Sequence, residues 1–99
     1  MKAVLGDTIL AEAPREELLS IEGNWYFPPS RVNFEHVSLS PTPYSCPLKG
    51  ACQYMTVRDG DLVLEDRAWS YPEPLPASVK RFGEFANYVA FWKEVRVTD

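Results

Sequence analysis

The sequence predicts a mainly β protein, a small barrel or a two-sheet sandwich with one short helix. Three observations predict it. Nine prolines in 99 residues argue against long helices, because proline lacks an N–H and clashes with the preceding turn. Aromatic residues make up 13% of the chain, and they favour strands and supply large buried area. Short apolar segments also alternate with turn signals at close intervals, as in small barrels and packed sheets. The length is that of one domain over residues 1–99, enough to bury a core of its own.

Residues 2–5 and 8–11 read as two short strands about Gly6-Asp7, a dipeptide suited to a tight turn. Pro14 can open a helical turn over the next residues, but Leu19-Ser20-Ile21-Glu22 alternates apolar with polar and reads better as a strand. Gly23-Asn24 is the expected turn after it, and Trp25-Tyr26-Phe27 restarts a β segment that Pro28-Pro29 stops. Residues 30–34 suit one turn of 3₁₀ helix or a loop, and residues 37–40 a short strand. Residues 41–47 hold three prolines, each biasing its predecessor away from helix, and are expected to be an irregular extended loop. Residues 51–57 and 62–66 form a clear hairpin about Asp59-Gly60, with the second strand able to run on to Trp69 or Tyr71. Pro76 at the start and Gly83 past the end mark a helix over 76–82. Residues 88–97 alternate well enough for one long closing strand, with Trp92 free to cap an edge.

The net charge of −4 repels nucleic acid on average, and Arg67, Lys80, Arg81, Lys93 and Arg96 are scattered among acids, so no nucleic-acid partner is expected. No run approaches the ~20 apolar residues of a membrane span, and the first residues reach Asp7 too soon for a signal peptide. The expected setting is cytoplasmic, where two cysteines are thiols rather than a disulfide. A monomer and a homodimer both fit the sequence.

The densest cluster of chemistry is Cys46-Pro47-Leu48-Lys49-Gly50-Ala51, followed by Cys52 and Tyr54. With Ala68-Trp69-Ser70-Tyr71-Pro72-Glu73-Pro74, Ala90-Phe91-Trp92 and, upstream, Tyr26-Phe27-Pro28, it resembles the family known as domain of unknown function 427. The likeness spans nearly the whole chain. It implies a compact, mostly β domain common in bacteria and seen in fungi, under a family label that hints at nucleotidyltransferases. The chain departs from the family pattern at Ser45, where a histidine often stands, and at Leu48, where an aromatic does. A mechanism built on a histidine beside the cysteine is therefore doubtful, and the single histidine, His36, lies in another segment.

Cys46 beside Lys49 is the candidate catalytic pair, because a nearby ammonium favours the thiolate that acts as nucleophile. Cys52, at a strand start, reads as a small buried hydrophobe. Lys49 and Gly50 can offer an ammonium and backbone N–H groups to an anion; a purely structural account has Gly50 making the turn and Lys49 in water. Asp59 and Asp61 have the spacing of a metal pair, but the hairpin turn accounts for them, and a transferase core is hard to fit into this length. A metal site is not expected: zinc wants four ligands, and the two cysteines lack close partners. No residue pattern names a cofactor. Trp25, Tyr26, Tyr54, Trp69 and Tyr71 are candidates for the wall of a small-molecule pocket, though plain core accounts better for Trp25, with Asp66 near Lys49 and Arg31 joining from another loop. The leading expectation is a binding module for a small, anionic ligand. The alternatives are an enzyme using Cys46 as nucleophile or redox thiol, and an interaction or assembly domain.

Overall fold

The computed structural model describes residues 1–99. The strands run β1 (Lys2–Leu5), β2 (Thr8–Glu12), β3 (Leu19–Ile21), β4 (Asn24–Tyr26), β5 (Val37–Cys46), β6 (Gly50–Asp59), β7 (Leu62–Ser70), β8 (Val89–Phe91) and β9 (Arg96–Thr98). One α-helix, α1 (Pro76–Phe82), lies between β7 and β8, and 3₁₀ turns occupy Arg15–Glu17 and Pro29–Arg31. The protein is thus mainly β with one short helix. Its strands form three antiparallel sheets, ordered β2-β1-β9, β3-β4 and β5-β6-β7-β8, and none closes into a barrel.

Three segments differ from the sequence expectation. Residues 41–47, expected to be a loop, largely continue β5 as far as Cys46. β5 is an edge strand, where a proline forfeits no ladder bond on its open side, and the register slips between Leu39 and Pro43 to accommodate the rings. Residues 88–97 are not one strand. Lys93 takes φ +58° and the Val95 N–H donates to the Trp92 carbonyl at 3.2 Å, so the chain turns out of β8, which pairs with β7, and into β9, which pairs with β1. The early turn is Glu22-Gly23, one residue before the expected place. Both residues have positive φ (+52° and +85°) and Ile21 faces Asn24 across it, the pattern of a two-residue type I′ hairpin.

Strand alternation splits the core in two. Along β7, Ala68 and Trp69 point to opposite faces; along β8, Val89 and Phe91 oppose Ala90; Tyr26 and Phe27 divide in the same way. Ala68, Phe27, Val89 and Phe91 join Met55, Val57 and Leu10 in an aliphatic-rich core. Trp69, Tyr26 and Ala90 join Tyr71, Phe85 and Ile21 in a smaller, aromatic one on the other face. No helix is long and apolar enough to cross a membrane.

Candidate functional site

The aromatic face carries a cavity of about 340 Å³. Register builds its walls. Cys52 and Tyr54 are two apart on β6 and share a face; Tyr54 lies opposite Trp69 of β7, and Cys52 lies opposite Tyr44 of β5. Tyr71 follows the end of β7, and Trp92 reaches in from the turn after β8. The rings pack against one another. Tyr54 and Trp92 are nearly parallel, 20° apart with centroids at 6.4 Å, while Tyr44 tilts 46° against Tyr54 and Trp69 meets Trp92 edge-on at 5.3 Å. Beneath them the Trp69 indole N–H donates to the Tyr26 hydroxyl at 3.0 Å, and burial raises the Tyr26 pKa. Burial likewise raises the Tyr71 phenol, so both stay protonated hydrogen-bonding groups at neutral pH.

Lys49 supplies the charge. It is the last residue of the turn between β5 and β6, and that turn is pinned from outside. The Leu75 N–H donates to the Lys49 carbonyl at 3.0 Å, and the Ser78 hydroxyl donates to the Leu48 carbonyl. The strap before α1 passes so close to Gly50 that a Cβ there would lie 3.3 Å from the Glu73 carbonyl oxygen, and Gly50 takes φ +104°. Held this way, the Lys49 side chain turns inward and is only 9% exposed. Its Nζ pairs with Glu22, stands 5.5 Å from the centroid of the Tyr71 ring and 3.9 Å from Cys46 Sγ. Burial opposes its charge, but the Glu22 carboxylate and the neighbouring thiol outweigh burial and hold its pKa above the ordinary lysine value. The expectation that Lys49 rests in water does not hold.

The two thiols differ. Burial opposes ionisation of Cys46, yet the Lys49 and Leu48 N–H groups and the Lys49 ammonium more than offset it, and its pKa falls below the usual thiol value. Burial pushes Cys52 up to about 11. Cys52 lines the cavity; Cys46 lies half-buried behind Lys49.

The structure brings Lys49, Tyr54, Trp69 and Tyr71 together around one cavity. Arg31 is not among them: its guanidinium forms a two-pronged pair with Glu17, Nε to Oε1 at 2.9 Å and the second nitrogen to Oε2 at 2.7 Å, beside a different depression next to Met1 and Ala13. Asp66 does not pair with Lys49 either. Its carboxylate accepts from the Ser40 hydroxyl at 2.6 Å, and its carbonyl accepts from the Trp92 indole N–H at 2.6 Å, so it fixes a wall. Gly50 contributes backbone shape. His36 sits against the Arg58 carbonyl, away from both thiols. Sequence reasoning missed Glu22, Asn24, Tyr44 and Trp92. Only Trp92 gave a signal, by standing outside the alternation of its segment.

The geometry joins the same residues that carry the sequence resemblance, and a family model described as a domain of unknown function (DUF427) matches residues 1–99. The chain belongs to this family. No curated protein matches it. In this DUF427 domain, the Cys46–Gly50 turn, the Trp69–Tyr71 strand end and Trp92 are remote in sequence yet meet at one cavity.

Proposed function

We propose that this domain binds a small anionic ligand in its aromatic cavity, with Lys49 as the charge that receives it. The observation that carries the reading is a lysine side chain drawn almost wholly out of water at the wall of a cavity lined mainly by aromatic residues. Holding a charge there costs free energy, and a scaffold that needed only a turn at 47–49 would leave the lysine in solvent. The volume lies at the lower end of the range for small-molecule sites, and the lining of mostly aromatic surface with a few polar groups is their usual make-up.

A thermal-shift panel of aromatic carboxylates, nucleotides, sugar phosphates and their neutral analogues tests it, on the wild type and Lys49→Ala. A ligand at ten times its Kd adds about 1.4 kcal/mol, several degrees of Tm in a domain of this size. Stabilisation by an acid in the wild type but not in Lys49→Ala is the expected result. A panel without any such acid counts against the reading.

One observation favours a second reading. Cys46 Sγ lies 3.9 Å from Lys49 Nζ with a lowered pKa, the environment of a reactive thiol. No general base stands beside it, so the binding reading comes first.

A further inference from the structure

The Lys49–Glu22 pair is lopsided. The lysine side chain is 9% exposed and the glutamate 47%. The ammonium stem is almost wholly out of water, whereas the carboxylate is already half in it and can turn out with little loss. Glu22 also stands where the backbone does not favour it. At φ +52° it occupies the first central position of a two-residue turn, which suits glycine, asparagine or aspartate better. The turn itself gains nothing from a glutamate, and the side chain's ion pair is with Lys49 alone. Two residues on, Asn24 of the same hairpin lines the cavity, so the hairpin forms its rim. With Glu22 in place, the inner ammonium is neutralised. With Glu22 turned out, the cavity presents one positive charge among aromatic rings.

We infer that Glu22 is a stand-in for the ligand's own acid group, and that the ligand is a ring-bearing organic acid whose carboxylate or phosphate displaces Glu22 from Lys49 while its ring lies against Tyr54 and Trp92. The inference rests on the binding reading above and adds the ligand class and the exchange. The rings favour an aromatic body, because aromatic pairs gain from offset-stacked and edge-to-face contacts beyond the area they bury. The ammonium selects the acid, since a neutral ring has no charge to offer Lys49; the exchange sets a threshold, because an acid must first dislodge the glutamate whereas a neutral ring enters without displacing anything. Glu22 therefore weakens the binding of acids and leaves neutral rings alone, and weakly held acids are screened out.

Calorimetric titration tests this on the wild type, Glu22→Gln and Glu22→Asp, with benzoate, phenyl phosphate and benzamide as probes. Glu22→Gln should bind at least one of the two acids more tightly than the wild type by about tenfold, a coupling of ordinary size between competing groups. Which acid gains tells carboxylate from phosphate. Benzamide should bind both proteins alike. Glu22→Asp keeps the charge on a shorter stem and should fall between them, which holds the test open if the glutamine variant folds poorly. Binding of any probe with no gain for either acid in either variant overturns the exchange and leaves the cavity a binding site. Failure of all three probes on every protein overturns the exchange and the binding reading together.

Discussion

Arg31 and Lys49 both end against a glutamate, and the two pairs have opposite meanings. The Arg31–Glu17 pair has the better geometry, a two-pronged bond of guanidinium to carboxylate, but its side chains are 44% and 38% exposed. Water competes for both ends, and such pairs contribute little to stability. The Lys49–Glu22 pair is a single contact, yet its lysine side chain is only 9% exposed, on a turn that the strap pins and with the Tyr71 ring beside the ammonium. An opposite charge close by is common to both; what separates a candidate site from a solvated pair is which partner can leave. At Arg31 either can. At Lys49 only the glutamate can, and it leaves behind a charge that a ligand can satisfy.

The strongest test of the difference is the wall around the lysine. Trp69 packs edge-on against Tyr26 and Trp92 in the aromatic core, so Trp69→Ala should cost about 3–5 kcal/mol in a denaturant titration. A cost under about 1 kcal/mol would mean that the cavity floor is not packed core. Gly50→Ala comes next. The new Cβ meets the Glu73 carbonyl at a φ of +104°, and the substitution should cost about 1–3 kcal/mol; a neutral result would show the strap free to lift, and Lys49 with it.

The two glutamates then compare the pairs directly. Glu22→Gln leaves a buried ammonium without its counter-charge and should cost about 1–2 kcal/mol, less than a fully enclosed pair because Glu22 faces water. Glu17→Gln should leave the denaturation midpoint unchanged within error. Equal costs would erase the distinction between the pairs.

A further comparison concerns the thiols, and it is one of rate rather than stability. Below pH 9, alkylation by iodoacetamide should strike Cys46 at least about ten times faster than Cys52, since the thiolate attacks and the Cys52 pKa stands near 11. Removing the positive charge disfavours the thiolate, so in Lys49→Met the Cys46 rate should reach its midpoint at a higher pH than in the wild type. A midpoint that does not move would remove Lys49 from the account of that thiol.

Most of this architecture was legible where local rules govern. The helix over 76–82 follows from Pro76 and Gly83, and the β6–β7 hairpin from Asp59-Gly60. What failed depended on position in the sheet. Prolines at 41 and 43 read as loop because sequence does not say that β5 is an edge. Residues 88–97 read as one strand because a positive φ at a lysine has no signature of its own. The site divides in the same way. Lys49, Tyr54, Trp69 and Tyr71 stood out by residue type beside turn signals, whereas Glu22 reaches Lys49 only through the packing of a separate hairpin. Arg31 carried the same charge as Lys49, and only burial separates them.

The cavity contains its own reporters. Trp69 and Trp92 line it, while Trp25 stands outside with the Arg15 guanidinium 5.3 Å from its ring centroid. The indole N–H signals of the three tryptophans, followed by NMR through titrations with benzoate and with phenyl phosphate, therefore separate binding in the cavity from binding elsewhere. The account predicts saturable movement of the Trp69 and Trp92 signals with at least one of the two acids, a still Trp25, and loss of the movement in Lys49→Met. Three unmoved signals, or movement of Trp25 alone, would contradict it.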